Sequence, residues 1–405
     1  MTLPTPLYRI AVLALVALAI ALRLANFNNV TARTPDEHVY TQQAKAWLSN
    51  GHAGLLANMA DYESNPATRQ YPAPTRVGMI RLVAAAMKWT GRGDDGAGAI
   101  VSCAASIASA ALLALLGLRF FPPPAVLFAL LFNAVSPMQL TMARRAWPDS
   151  PVEMLGLTMV YAACEISAGS RRLLWYILFA IAAGAGITIK EYTILPIGIC
   201  ALWILCELTW REALAMIAFT VAGIGVAVWW LSGSVGGLSE LIRVATAIPA
   251  ANAKNAYALE YASGSGYLLL AGLWIVTPVP AVFSLAGLGS RRSRLPGSST
   301  EARLFQRMTI FVLLLLIFAM LLPHWLNLRY VAPAFGPFYL LAGLGFARVF
   351  TRCRAWLGGS GLFALAVIVL LVLDAGVDYM RFRGIFVDDA TPDLSIKFLL
   401  DERFR

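Results

Sequence analysis

Leu7-Tyr8-Arg9-Ile10-Ala11-Val12-Leu13-Ala14-Leu15-Val16-Ala17-Leu18-Ala19-Ile20-Ala21-Leu22-Arg23-Leu24 is a nearly unbroken apolar run, and its reading decides the fold. A stretch of roughly 18 or more apolar residues is long enough to cross a bilayer as a helix, because backbone polar groups in lipid must be satisfied within the segment. A cleaved secretory signal would be the only such stretch, whereas apolar runs recur here to about residue 378. The first run therefore reads as a retained span. Ten further runs follow, near 97–118, 124–142, 150–168, 172–189, 191–209, 212–231, 266–289, 306–322, 331–349 and 359–378. The sequence predicts an all-α polytopic membrane protein of about eleven transmembrane helices.

Composition agrees. Of 405 residues, 59% are apolar and 13% charged, against roughly 45–50% and 25% in soluble domains. The net charge of +10 does not point to nucleic acid, since the basic residues sit in short loops between apolar runs, as the positive-inside rule requires. Five scattered cysteines without CxxC spacing signal neither a disulfide framework nor a zinc site.

Arg171 and Arg172, then Arg291, Arg292, Arg294, Arg303 and Arg307, then Arg348, Arg352 and Arg354 mark three loops of one side, predicted to be cytoplasmic. By parity the N-terminus is cytoplasmic, and residues 26–96, the Arg144–Asp149 turn, Lys190–Glu191, residues 232–265, Pro323–Tyr330 and the tail 379–405 face the opposite compartment. Residues 1–378 then form one membrane domain, with 26–96 and 232–265 as its large outer loops.

Thr34-Pro35-Asp36-Glu37 has the form of a capping box, and Val39, Tyr40, Ala44, Trp47 and Leu48 continue at helical spacing to Asn50-Gly51. This predicts an amphipathic helix on the membrane, and Arg76–Trp89 predicts a second. Asp36 and Glu37 are thereby held at the height of lipid head groups, where a carboxylate can take a proton from a hydroxyl or, with His38, hold a divalent metal. The alternative duty of both is to complement the helix dipole. Ser150-Pro151-Val152-Glu153 reads as another capping box, which leaves Asp149 just outside its helix with no capping duty. An ion pair with Arg144 or Arg145 is its bland alternative.

Cations complement these acids. Lys190, Arg329, Arg144, Arg145, Arg76 and Arg81 all fall on the outer side, able to bind phosphate or simply to snorkel to lipid. Tyr40 and Tyr330 lie in the same segments and join Lys190, Arg329, Arg144, Arg145 and Arg76 as substrate-binding candidates. His52 and His324 have no metal-binding spacing. Residues 232–265 read as a loop in which Lys254, Tyr257, Glu260 and Tyr261 could meet sugar or lipid.

The order of these elements resembles the family 39 glycosyltransferases, membrane enzymes of the GT-C type. The resemblance is carried by Pro35-Asp36-Glu37-His38-Val39-Tyr40, Tyr71-Pro72-Ala73-Pro74, Lys88-Trp89-Thr90-Gly91, Ala143-Arg144-Arg145-Ala146-Trp147-Pro148-Asp149-Ser150-Pro151, Lys190 and Leu328-Arg329-Tyr330-Val331-Ala332-Pro333. It implies inverting transfer of a sugar from a polyprenyl-phosphate donor to a lipid, glycan or protein acceptor on the extracytoplasmic face of a bacterial plasma membrane. It also implies Asp36 as base, Glu37 and Asp149 placing acceptor or metal, and Lys190 and Arg329 holding the donor phosphate. No cofactor beyond an optional divalent metal is implied. A lipid or solute transporter and a non-catalytic membrane subunit are the alternatives.

Overall fold

The computed structural model describes residues 5–25, 27, 33–68, 71–170, 172–252, 264–289, 299–321, 326–358, 361–388 and 396. Among these, every regular element is helical, and sixteen are α-helices. They are α1 (Thr5–Leu24), α2 (Pro35–Ser64), α3 (Val77–Thr90), α4 (Asp95–Phe120), α5 (Pro123–Val135), α6 (Pro137–Arg144), α7 (Asp149–Ser167) and α8 (Leu173–Ile189) in the first half. Then come α9 (Ile194–Leu205), α10 (Trp210–Val235), α11 (Leu238–Asn252), α12 (Leu268–Val276), α13 (Pro278–Gly289), α14 (Ser299–Leu321), α15 (Ala332–Trp356) and α16 (Gly361–Phe382).

Each apolar run lands on a helix or a helix pair, but not all are straight spans. Six helices are long and apolar enough to cross a membrane: α1, α4, α10, α14, α15 with the turn before it, and α16. Two runs are broken. The run 124–142 is α5 and α6, bent by 50°, and 266–289 is α12 and α13, bent by 113°. Both breaks precede a proline, Pro137 and Pro278, which has no N–H to continue the ladder and clashes with the preceding turn. Helices α8 and α9 are shorter apolar segments, and α7 carries Glu153 and Glu165.

The two ends of the bundle differ chemically. At one end Arg119 pairs with Glu165 at 3.1 Å, Glu207 pairs with Arg307 at 3.1 Å and Arg303 at 3.7 Å, and Arg348 lies 4.7 Å from the Phe305 ring. Arg303, Arg307 and Arg348 therefore share one face, as their loops require. Arg171, Arg291, Arg292 and Arg294 lie outside the described residues. The opposite end gathers the start of α2, the ends of α6 and α8, the start of α7, and the tight turns Glu191–Thr193 and Leu328–Val331.

That end is roofed by α2, α3 and α11. The first amphipathic helix does not stop at Gly51: the residue takes a positive φ of 53°, which glycine tolerates, and the helix resumes at a kink to Ser64. Leu238–Asn252, expected as loop, is helix α11, tied to α2 by Arg243 and Glu63. Lys254, Tyr257, Glu260, Tyr261, His324 and most of the tail beyond 388 lie outside the described residues.

Candidate active site

The site is built on the start of α2. Glu37 is fully buried and accepts from four groups at 2.7–3.0 Å: the backbone N–H of Thr34 and Ala146, Arg33 Nη1 and Arg145 Nη1. It closes the expected capping box and also pins the 144–147 turn to α2. Trp147 Nε1 donates to Thr34 Oγ1 at 3.1 Å, and Ser102 Oγ donates to the Trp147 carbonyl at 2.7 Å. The turn can come this close to α4 because Gly98 faces it, where a Cβ would collide with Ala146. Glu37 is thus a clamp whose oxygens are taken.

Asp36 lies one residue earlier, about 100° round the helix, and its partner lies elsewhere. Its carboxylate pairs with Arg329 Nη2 at 3.0 Å, with 23% of the Asp36 side chain exposed. The Arg329 guanidinium sits 4.9 Å from the Trp147 ring. A second pair stands beside this one: Lys190 Nζ donates to Asp149 Oδ1 at 2.7 Å, both side chains buried. Tyr192 links the two pairs through its hydroxyl, 3.2 Å from Asp149 Oδ1 and 3.3 Å from the Arg329 carbonyl. Lys190 Nζ also lies 4.6 and 4.8 Å from the Tyr192 and Tyr330 rings. Among the described residues, Asp149 Oδ2 is buried without a hydrogen-bond partner.

A third cation completes the group. Arg76, just before α3, donates to the Tyr40 hydroxyl at 2.9 Å and pairs with Glu191 at 3.2 Å. Burial pushes the Tyr40 hydroxyl up from its ordinary pKa, so it stays protonated. Lys190 moves the other way. Burial lowers it from 10.5 to about 8 against the pull of Asp149, and Arg76 and Arg329 add repulsion. Its charge is poised for loss above neutral pH.

Asp36, Asp149, Lys190, Arg329 and Tyr330 therefore converge, with Arg76 and Tyr40 alongside. Other candidates are used differently. Arg145 is buried against Glu37, and Arg144 donates to the Leu22 carbonyl at 2.7 Å with its guanidinium over Phe382. Asp149 pairs with Lys190, so the alternative of a pair with either arginine is not what the fold forms. The Ser150–Glu153 capping box is absent as well: Asp149 opens α7, and both Glu153 oxygens accept from Gln139 Nε2. Burial so close to α6 gives Glu153 a tertiary partner, which overrides the local one. Tyr192 and Trp147, each in contact with two of the site's charged groups, were not singled out by sequence; Tyr192, two residues after Lys190, looked like any interfacial tyrosine.

The acids do not fit a metal site. Asp36 faces Arg329, the Glu37 oxygens are occupied by N–H donors, and His38 is turned toward Gln42 and Asp95, its Nδ1 3.8 Å from Asp95. Among the described residues no three His, Cys, Asp or Glu side chains converge.

No family model and no curated protein matches the sequence. Solved structures do match its fold. ArnT from Cupriavidus metallidurans bound to undecaprenyl phosphate superposes with a TM-score of 0.61 at 15% identity, over 94% of this chain and 71% of that one. The oligosaccharyltransferase of Archaeoglobus fulgidus gives 0.64 at 11% identity, over 96% of this chain and 56% of that one. The oligosaccharyltransferase AglB from Archaeoglobus fulgidus in complex with an inhibitory peptide and a dolichol-phosphate gives 0.54 at 13% identity, over 96% of this chain and 56% of that one. The chain has the GT-C membrane fold.

Proposed function

We propose that this protein is a membrane glycosyltransferase that moves a sugar from a polyprenyl-phosphate donor to an acceptor at the extracytoplasmic face of a bacterial plasma membrane, with inversion. The observation that carries the reading is the pair of adjoining carboxylate–cation couples, Asp36–Arg329 and Asp149–Lys190, at the end of the bundle away from the basic loops. The undecaprenyl phosphate bound to ArnT and the dolichol-phosphate bound to AglB support the same donor class.

The chemistry follows from the parts. A sugar phosphodiester leaves as a phosphate monoester once cations neutralise the developing charge, so no acid is needed to protonate it. Lys190 and Arg329 are the cations on hand. Asp36, partly open to solvent, takes the proton of the acceptor hydroxyl as its oxygen attacks the anomeric carbon opposite the phosphate. The carbon–oxygen bond to phosphate breaks with its electron pair on the phosphate, and the anomeric configuration inverts. Asp149, buried with its Oδ1 held by Lys190 and Tyr192, serves as the countercharge that positions Lys190. Glu37 acts one step back, as a positioning residue that fixes Trp147 against Arg329. No step is routed through a metal, because the acids are arranged for N–H donors. The acceptor is a lipid, glycan or protein hydroxyl.

The test uses purified protein in liposomes with a radiolabelled polyprenyl-phosphate sugar, following donor consumption, product and transbilayer movement together. A new glycosidic bond that requires Asp36 supports the reading. Lipid or sugar movement without product would establish a transporter, and neither activity would favour a non-catalytic subunit; both refute it.

A further inference from the structure

Arg81 stands apart from the site just described. On α3 it lies five residues beyond Arg76, roughly 7 Å along the helix, and its guanidinium packs on two indole rings. Its Cζ is 4.9 Å from the ring centre of Trp47 on α2 and 4.7 Å from that of Trp230 on α10. Among the described residues no carboxylate, carbonyl or hydroxyl accepts from it. Contact with two aromatic rings satisfies a guanidinium's faces, while its N–H donors lie in the plane and remain to be used. The side chain is half-buried.

The height of this group is set by α10. Trp230 lies five residues before the helix ends at Val235, at the side of the bundle where α2 and α3 lie. Trp229 beside it is 75% exposed, and Val226, one turn further into the span, is 64% exposed. Paired tryptophans near a span end mark the level of lipid head groups, and the apolar flank below them faces acyl chains. Leu48 and Leu82, next to Trp47 and Arg81, are exposed as well.

We propose that Arg81, set by Trp47 and Trp230, binds the phosphate of a glycerophospholipid whose acyl chains lie along the Val226 side of α10, anchoring the roof of α2 and α3 to the membrane. A planar fork held against aromatic rings matches two phosphate oxygens, and the neighbouring apolar surface matches the tails. This inference does not depend on the transfer reaction.

Native mass spectrometry of the full-length protein tests it, with Arg81→Gln compared with the unsubstituted protein so that phosphate in the candidate active site counts equally in both. Phosphatidylglycerol is titrated against a phosphate-free glucosyl diacylglycerol with the same acyl chains. One phosphatidylglycerol is expected to bind tightly, with roughly tenfold or greater weakening in Arg81→Gln and intermediate weakening in Arg81→Lys. Equal retention in Arg81→Gln would overturn the proposal. Should that variant fail to fold, the unsubstituted protein decides alone: phosphatidylglycerol must raise its melting temperature more than the glycolipid does, and an equal rise refutes the site. Displacement of the lipid by millimolar inorganic phosphate would mark a soluble-anion site and equally overturn the lipid assignment.

Discussion

Lys190 offers the sharpest test of the phosphate clamp, because its charge is tuned by burial. With a pKa of about 8, it is about nine-tenths protonated at pH 7 and about one-tenth at pH 9. A charge-assisted hydrogen bond to phosphate contributes about 1.5–3 kcal/mol, so Lys190→Gln, which also lowers the melting temperature by leaving Asp149 buried without its cation, should lower kcat/KM of the folded protein for the donor by roughly 10- to 150-fold at pH 7. At pH 9 the wild-type enzyme has itself lost most of the charge, and the gap should shrink about tenfold. Stability runs in the opposite direction. Because the folded-state pKa lies below the ordinary 10.5, the unfolded chain binds more protons between pH 8 and 10.5. Folding is thereby favoured by about 3 kcal/mol as pH rises through that window. A fall in activity there cannot come from this group destabilising the protein. The assay is transfer of labelled sugar at subsaturating donor from pH 6.5 to 9.5, with melting temperatures read in parallel. Lys190→Arg, charged throughout, should lose the alkaline limb. Wild-type and Lys190→Gln profiles that stay parallel across the range would refute the assignment of Lys190 to the donor phosphate.

Asp36→Asn should abolish transfer while changing stability by no more than about 1 kcal/mol, since its pair with Arg329 is partly exposed. It should also tighten capture of polyprenyl phosphate by releasing Arg329, and retained turnover would remove Asp36 as the base. Glu37→Gln should behave as a folding defect of about 3–5 kcal/mol, seen as lower melting temperature and yield, because it breaks the buried Arg145–Glu37 ion pair; an unchanged melting temperature would show the clamp to be dispensable. In a background lacking the native cysteines, Ala57→Cys should react with an impermeant thiol reagent on intact cells and Ala355→Cys should not. The reverse pattern would put the candidate site on the cytoplasmic side.

Period and length made the membrane bundle legible, because bilayer thickness fixes how long an apolar run must be. What they could not encode is where a run bends: Pro137 and Pro278 stop the helix, but the angles of 50° and 113° depend on what each half packs against. The site was legible to the level of segments. Asp36 and Glu37 are adjacent, so sequence gave them similar duties. Once folded, they point about 100° apart, one toward Arg329 and the other into a cage of N–H donors. Arg144 and Arg145 show the same limit, since a basic pair beside an acid reads as a phosphate site or a surface ion pair until Glu37, more than 100 residues earlier, proves to be the partner of Arg145, and the Leu22 carbonyl that of Arg144. Tyr192 escaped notice because its value lies in a distance to Asp149 that no local pattern records.

The arrangement also explains why three cations can be concentrated at one end of an apolar bundle without a donor present. Arg329, Lys190 and Arg76 are each matched by one carboxylate, Asp36, Asp149 and Glu191, so the group carries no net charge before a phosphate arrives. The pairs are not equivalent. Asp149 and Lys190 are sealed from solvent, and separating them would leave an uncompensated buried charge, whereas Asp36 has water at hand to replace Arg329. On the proposed reading an incoming phosphate therefore displaces Asp36 more cheaply than Asp149. Binding the donor would then free Asp36, which unlike Asp149 is exposed enough to meet an acceptor hydroxyl, and the base would become available only when there is a sugar to transfer.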